Sequence, residues 1–216
     1  HEFFCIDPIS GLIDVNTINS NVSFFYNPLV THFILYLNNS EKFKIIAPQN
    51  NILKSFKTAN SIYYQTLNQG LFEIENGTSK LVSNNLILKN NKIVNVFAIE
   101  EGLLIHTQFN GFYKLVNGNL TKFNTEADSE IVSSSIYSSQ MLSDGSFAIG
   151  TISNGVFIVT KEGKVKYHLT QSKGLSNNTA LSLFEDADKN LWIGLDNGIN
   201  CINLQSPFKS YADDTG

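Results

Sequence analysis

The 216-residue sequence predicts an all-β fold, a β-propeller built from about five four-stranded antiparallel blades. Three observations predict it. A motif recurs about every 43 residues, turn signals occupy matched positions in each period, and short segments rich in β-branched and aromatic residues lie between the turns. No segment shows the periodicity of a convincing amphipathic helix. We therefore expect a single propeller domain, or a portion of one, across residues 1–216.

The composition excludes several classes of protein. With 42% apolar and 12% aromatic residues, the chain has enough hydrophobic side chains to form a packed core, so it is not intrinsically disordered. All 15 basic residues are Lys and the net charge is −4, which is a poor match for a nucleic-acid backbone. We expect no nucleic acid to bind.

The ends of the sequence and its hydropathy bear on membrane attachment. No apolar run approaches the roughly 18 to 20 residues that cross a bilayer. The sequence begins at His1 without Met and without the pattern of a signal peptide. We therefore expect an excised or processed segment, attached to a membrane only through segments outside it.

The repeat is clearest at residues 191–199, which read Leu-Trp-Ile-Gly-Leu-Asp-Asn-Gly-Ile. Related copies occupy residues 147–156, 103–112 and 62–71, and a weaker copy occupies residues 3–12. The turn glycines of the last four copies are 41, 44 and 43 residues apart: Gly70, Gly111, Gly155 and Gly198. The first interval, from Gly11, is 59 residues. Residues 1–49 therefore hold either an insertion or a degenerate blade, and the clear repeats span about 50–204.

Turn signals on both sides of each motif divide a repeat into four strands. Asn-Gly, Asp-Gly and similar pairs favour tight hairpins. Those upstream are Asn60, Glu101–Gly102, Asp144–Gly145 and Lys189–Asn190; those downstream are Asn76–Gly77, Asn117–Gly118, Glu162–Gly163 and Gln205–Ser206. In the clearest unit the predicted strands are 93–99, 103–109, 112–116 and 120–123.

The Gly and Trp residues inside the motif have a structural explanation. Gly150 and Gly194 lack a side chain where neighbouring sheets or a central channel would crowd one, and Trp192 can fill the space between blades. Gly198 supplies a turn. We expect Trp192, Gly194 and Gly198 to be scaffold residues.

Residues 181–200, which contain an acidic turn followed by Leu-Trp-Ile-Gly, closely resemble the two-component regulator propeller repeat. Residues 173–178, Lys-Gly-Leu-Ser-Asn-Asn, resemble the linker between blades in that family. Over about 50–204, the earlier copies share the order of apolar, Gly and turn positions with this family but lack the Trp. The resemblance implies an extracytoplasmic sensor propeller of a bacterial regulator, whose membrane helix and kinase or DNA-binding output lie outside this chain.

The sequence does not predict catalytic, cofactor-binding or metal-binding chemistry. Residues 186–190, Asp-Ala-Asp-Lys-Asn, have the alternate oxygen spacing of a calcium loop but lack its Gly and distal Glu, so a hairpin turn is favoured. No G-x-S-x-G elbow and no glycine-rich phosphate loop occur, and the four His are far apart in sequence. Cys5 and Cys201 either bridge the ends of the chain or, as we favour, are small buried hydrophobes.

The blade geometry predicts where a ligand binds. If the first strand of each blade is innermost, the turns between second and third strands share a face with the connections between blades. Amides, hydroxyls and aromatic rings there suit neutral sugars. The alternative is that the Asn residues are present because they form tight turns. The candidate ligand-binding residues are Gln108, Asn110, Ser153, Asn154, Tyr167, His168, Asp196 and Asn197, with Tyr167 and His168 in a blade connection.

These observations lead to one functional hypothesis and two alternatives. The first is a non-enzymatic periplasmic sensor that binds an oligosaccharide or a similar small molecule, in a chain that could form a homodimer. The alternatives are a protein-interaction or dimerisation scaffold without a small ligand and, less favoured, a propeller lyase or hydrolase.

Overall fold

The computed structural model describes residues 14–19, 22–27, 32–37, 42–46, 48, 51–58, 61–75 and 78–206. The chain divides into two compact units, residues 1–92 and 93–216. No helix in the described ranges has the length and apolar character needed to cross a membrane.

The first unit contains two four-stranded antiparallel sheets, each a meander in chain order. A short helix, α1, follows the second. The strands of sheet 1 are β1 (Asp14–Asn19), β2 (Val22–Asn27), β3 (His32–Leu37) and β4 (Lys42–Ile46). The strands of sheet 2 are β5 (Ile52–Lys57), β6 (Ile62–Thr66), β7 (Gly70–Glu75) and β8 (Thr78–Ser83), and α1 spans Leu86–Asn90.

In its described residues, 93–206, the second unit contains three further antiparallel meanders, of four, four and three strands. Sheet 3 comprises β9 (Ile93–Ile99), β10 (Gly102–Thr107), β11 (Gly111–Val116) and β12 (Asn119–Phe123), and helix α2 (Asp128–Ser133) follows it. Sheet 4 comprises β13 (Ile136–Met141), β14 (Phe147–Thr151), β15 (Val156–Val159) and β16 (Val165–Leu169). A 3₁₀ turn (Gln171–Lys173) leads to sheet 5, which comprises β17 (Ala180–Glu185), β18 (Asn190–Leu195) and β19 (Gly198–Asn203).

The predicted all-β propeller fold is confirmed, and so are the strands of its clearest unit. Gly111 and Gly155 have φ values of 73° and 67°, the left-handed conformation that the predicted turns require. Residues 14–46 form a four-stranded sheet, which favours the degenerate blade over an insertion. The weak copy at residues 3–12 and the turns at 60 and 76–77 lie outside the described residues. A single domain across 1–216 stays a prediction.

Two connections contain short helices, although no segment of the sequence shows the periodicity of an amphipathic helix. Helix α1 begins where the side chain of Asn85 accepts a hydrogen bond from the Ile87 amide, and it buries Leu88. Helix α2 buries Ile131. Because each helix has fewer than two turns and one buried residue, neither produces an apolar periodicity in the sequence.

The cores of the second unit lie between successive sheets. Val94, Leu104 and Phe112 of sheet 3 pack with Ile149 and Phe157 of sheet 4. On the other side of sheet 4, three of its buried side chains pack with those of sheet 5: Ala148, Val156 and Ile158 from sheet 4, and Ala180, Leu191, Ile193 and Leu195 from sheet 5. Strand β13 contacts both β9 and β17, so the first strands of the three sheets adjoin. This arrangement places the equivalent turns of the three sheets side by side.

Candidate functional site

The turns between second and third strands in sheets 3 to 5, residues 108–110, 152–154 and 196–197, form what we call the inner-turn face. Hydrogen bonds join these turns to the connections between sheets. The Ile136 amide donates to the Gln108 carbonyl (3.0 Å), and the Thr179 hydroxyl donates to the Ile152 carbonyl (2.7 Å). The Asp196 amide donates to the Thr179 carbonyl (3.1 Å). The inner turns and the connections therefore lie on the same side of the second unit.

A threonine at the end of the second strand supports two of these turns. Thr107 and Thr151 are buried, and their hydroxyls donate to the carbonyls of Gly111 and Gly155 at 2.7 and 2.9 Å. Leu195 occupies the equivalent position in sheet 5. Because these hydrogen bonds close the turns, the residues between the two ends of each turn lie toward solvent.

Six of the predicted ligand-binding residues lie on the inner-turn face. Gln108, Asn110 and Asn154 are half-buried, whereas Ser153, Asp196 and Asn197 are exposed. The backbone of Asn154 serves the turn, because its amide donates to Thr151 Oγ1 at 2.9 Å. The side chains of Gln108, Ser153, Asp196 and Asn197 make no hydrogen bond within the described part of the chain. They are therefore accessible to a ligand.

Tyr167 and His168 do not lie in a blade connection as predicted, because both belong to strand β16. The His168 ring stacks on Phe157 at a centroid distance of 3.9 Å, and its Nε2 lies 2.9 Å from the Asn154 carbonyl oxygen. Tyr167 packs against the core between sheets 4 and 5. These contacts give both side chains a structural role that the spacing of the turns did not reveal.

Phe109 is the aromatic residue on this face that the sequence reasoning did not select. It lies in the turn between Gln108 and Asn110, and 51% of its surface is exposed. An exposed ring flanked by two amides is the combination predicted for a sugar site. The signal was present in the sequence, since Phe109 occupies a turn position where the other repeats carry Asn68, Ser153 or Asp196.

A concave region lies between sheets 3 and 4, away from the inner-turn face. It has a volume of about 620 Å³, within the range of small-molecule sites. Leu104, Phe123 and Phe147 contribute to its apolar surface, and Lys114 and Lys161 contribute charge. The hairpin at residues 99–102 borders it, at the opposite end of β10 from Phe109. The sequence predicted the hairpins but not this cleft, because its walls come from strands far apart in the chain.

His106 occupies a fully buried position in β10. Its ring contacts three aromatic rings, those of Phe97, Phe112 and Phe147, at centroid distances of 5.0, 4.1 and 5.5 Å. Among the described residues, its Nδ1 has no hydrogen-bond partner. Burial lowers the pKa of His106 from its ordinary 6.5 to about 3. The imidazole is therefore neutral near pH 7 and belongs to the core.

The Asp186 turn is a hairpin, as predicted, rather than a calcium loop. Asp186 Oδ1 accepts from the amides of Asp188 and Asn190 at 2.9 Å, and Oδ2 accepts from the Trp192 indole at 2.7 Å. The Trp192 hydrogen bond is the main cause that lowers the pKa of Asp186. Within the described residues, no three His, Cys, Asp or Glu side chains converge in a way that could hold a metal ion.

Two expectations for sheet 5 are wrong. Trp192 does not fill a space between the described sheets, and 43% of its surface is exposed. Cys201, its cross-strand neighbour, is exposed and free rather than buried. Both side chains lie on the side of sheet 5 that faces away from sheet 4, whereas Leu191 and Ile193 alternate with Trp192 and pack toward sheet 4. Cys5 lies outside the described residues.

Comparison with known families confirms the resemblance. Residues 174–197 match the family model of the two component regulator propeller. This segment includes the linker, the acidic turn and the Leu-Trp-Ile-Gly motif. A search of curated proteins finds no match.

Solved structures share the fold at low sequence identity. An extracellular domain of a one-component system from B. thetaiotaomicron is 19% identical with a TM-score of 0.63, over 84% of this chain and 26% of that chain. An extracellular domain of a hybrid two-component system from the same organism is 15% identical with a TM-score of 0.69, over 88% and 26%. Inactive virginiamycin B lyase from Staphylococcus aureus is 14% identical with a TM-score of 0.65, over 95% and 74%. The chain spans about a quarter of the length of the two regulator domains.

Proposed function

We propose that this chain is a non-enzymatic sensor segment, part of the periplasmic propeller of a bacterial signalling regulator, and that its inner-turn face binds a neutral oligosaccharide. The observation that carries the proposal is the exposed ring of Phe109 between Gln108 and Asn110. The match of residues 174–197 to the two component regulator propeller family supports the signalling role, as does the fold shared with two extracellular regulator domains.

The chemistry of the face supports a neutral sugar. An aromatic ring covers the apolar face of a pyranose, while amide and hydroxyl groups exchange hydrogen bonds with its hydroxyls. Ser153 and Asn197 supply such groups from the neighbouring turns, and both are exposed. Asp196 accepts hydrogen bonds from sugar hydroxyls and disfavours anionic ligands. Binding would stabilise one arrangement of the sheets and so bias a connected output.

The test is thermal unfolding of the chain across a panel of neutral oligosaccharides, with uronic-acid oligosaccharides as the anionic comparison. A ligand at about 100 times its Kd adds roughly 2.7 kcal/mol to the free energy of unfolding. We expect one class of neutral sugar to raise the melting temperature, and we expect Phe109→Ala to abolish that rise. The matched control is Phe184→Ala, which removes another exposed ring from sheet 5, away from the inner turns.

Three results would contradict the proposal. If no neutral sugar shifts the melting temperature, the protein-interaction scaffold becomes the better hypothesis. If a sugar shift survives Phe109→Ala but is lost in Lys161→Ala, the ligand occupies the cleft between sheets 3 and 4. Turnover of a panel sugar would favour the lyase or hydrolase alternative.

A further inference from the structure

The cleft between sheets 3 and 4 is bounded on both of its long sides. Strands β9 and β13 adjoin on the inner side. On the outer side, the connection that follows β12 packs against the hairpin at residues 160–164. There the Glu126 amide donates to the Gly163 carbonyl at 2.8 Å, and the Val165 amide donates to the Glu126 carboxylate at 2.9 Å. The cleft therefore has the form of a pocket, bordered by the hairpins at residues 99–102 and 160–164.

The core of the second unit is incompletely covered at this pocket. Leu104 and Phe147 line it and are buried. Ile99 and Phe123 also line it and pack against the core, but both are only partly buried, and Met141 is 39% exposed. An apolar group placed in the cleft would remove this remaining apolar surface from water, which is favourable. The lining therefore suits a ligand with an apolar body.

Two lysines interrupt the apolar lining at positions that are apolar in the next pair of sheets. Lys114 pairs with Leu104 across β10 and β11, so both side chains face sheet 4. The motif alignment places Ile158 at the position of Lys114, and Ile158 is fully buried between sheets 4 and 5. Lys161 aligns with Leu204, which packs against that same core. The repeat alone therefore does not explain the charges in this cleft.

Neither lysine has an acidic partner. Lys114 is half-buried, and its Nζ lies 5.3 Å from the centroid of the Phe123 ring. The ion pairs among the described residues involve other lysines, so neither Lys114 nor Lys161 is paired. A half-buried ammonium beside apolar walls favours a carboxylate that carries its own apolar group. Glu100 and Glu101 border the opening and are exposed, which disfavours a ligand with several negative charges.

We propose that this cleft is a second binding site, which takes a free small molecule with one carboxylate and an apolar tail or ring, such as a fatty or arylalkanoic acid. The carboxylate accepts hydrogen bonds from the Lys114 ammonium, and Lys161 adds positive charge. The apolar part covers Phe123 and Phe147. The cleft lies at the opposite end of β10 from Phe109, so the site is separate from the inner-turn face and does not depend on the function proposed for that face.

The test uses Met141 as a local reporter, because it lines the cleft and is the single methionine of the sequence. Its methyl group is isotopically labelled and followed by NMR, and Met141→Leu identifies the signal. Octanoate below its micelle concentration is the probe; octanol, octylamine and acetate are the comparisons. We expect octanoate to shift the signal saturably and octanol to bind about tenfold more weakly, because it lacks the charge. Octylamine and acetate should give no saturable shift.

A pair of lysine variants tests the recognition of the carboxylate. Lys114→Met removes the ammonium and keeps a side chain of similar length, so the Kd for octanoate should rise about tenfold while the Kd for octanol stays the same. Lys164→Met is the matched control, since Lys164 is exposed on the neighbouring hairpin and does not line the cleft. It should leave both affinities unchanged. The melting temperature of each variant checks that it folds.

Two results would overturn the proposal, and the first needs no variant. If octanoate gives no saturable shift of the Met141 signal, or binds no better than octanol, the cleft does not recognise a carboxylate. If Lys114→Met and Lys164→Met weaken octanoate binding equally, the ammonium of Lys114 is not the partner. Phe109→Ala should leave octanoate binding intact, so failure of this site and failure of the sugar site are distinguishable.

Discussion

Gly150 of β14 packs directly against Ala180 of β17, so that a Cβ built at position 150 would lie 2.9 Å from both the methyl carbon and the carbonyl oxygen of Ala180. Real side chains do not approach backbone atoms so closely. The absence of a side chain at Gly150 therefore sets the distance between sheets 4 and 5. This contact also positions the connection that carries Thr179 beneath the inner-turn face.

The first prediction concerns this contact. Gly150→Ala should lower the free energy of unfolding by about 1–3 kcal/mol, because the β17 backbone must move to admit the methyl group. Gly194→Ala is the matched control, since its Cβ meets only the rotatable Ser182 hydroxyl. Urea denaturation of both variants measures the difference. Equal losses would show that crowding by sheet 5 is not the reason for the glycine.

The second prediction concerns pH and His106. Well above pH 6.5 the residue is neutral in both folded and unfolded chains. Below pH 6.5 the unfolded chain binds a proton that the folded core excludes, since burial lowers the folded pKa to about 3. Stability should therefore fall between about pH 6.5 and pH 3, by at most about 1.4 kcal/mol per pH unit from this group.

The variant His106→Leu isolates this effect. It removes the titrating group and keeps a side chain of similar size among the three phenylalanines. The difference in unfolding free energy between the two proteins, measured by urea denaturation from pH 8 to pH 4, should change in favour of His106→Leu as the pH falls. A constant difference would contradict the buried neutral state.

The third prediction uses Trp192, the single tryptophan of the sequence, as a reporter of Asp186. The indole hydrogen bond holds the pKa of Asp186 below 3.8. The stabilisation is present above the unfolded pKa and is lost as the pH falls through the folded pKa. Tryptophan emission should therefore change with a midpoint below pH 3.8.

Two variants of the turn check this assignment. Asp186→Asn should remove the emission change, because the group that titrates is gone. Asp188→Asn alters the neighbouring carboxyl in the same turn and should leave the change intact. Loss of the transition in Asp188→Asn, with retention in Asp186→Asn, would contradict the hydrogen bond to Trp192.

The fourth prediction separates scaffold from ligand site in strand β16. His168→Ala should destabilise the chain by about 1–2 kcal/mol, because the stacking on Phe157 and the hydrogen bond to Asn154 are both lost. Lys164→Ala, an exposed change just before the same strand, should have little effect. In the oligosaccharide assay, His168→Ala should still bind the sugar. A loss of sugar binding in His168→Ala but not in Lys164→Ala would mean that His168 belongs to the ligand site.

The sequence accounted well for local structure. The hairpins at Glu101–Gly102, Asn117–Gly118 and Glu162–Gly163 form as predicted, because Gly adopts the backbone angles of tight turns wherever it lies in the chain. The alternation between such turns and short β-branched segments was sufficient to predict the four sheets between residues 50 and 204, whereas residues 1–49 were left as either an insertion or a degenerate blade. The short helices escaped prediction because one buried residue gives no pattern.

The candidate site was only partly predictable. Equivalent turns of a repeat must lie side by side, so Ser153 and Asn197 could be placed on one face from spacing alone. The direction in which a side chain points within an outer strand could not be predicted from spacing. Tyr167 and His168 alternate between two neighbouring cores, and their contacts depend on how β16 packs rather than on its sequence.

The sequence by itself determined the repeat, the strands and the turns, because these depend on backbone preferences within about ten residues. The tertiary structure alone decided which side chains meet between sheets. It placed Phe109 in solvent between two amides, enclosed His106 in a ring of phenylalanines, and left Trp192 uncovered on sheet 5. The physical reason is that burial depends on the neighbouring sheet, as at Gly150, whose contact Ala180 lies 30 positions further along the chain.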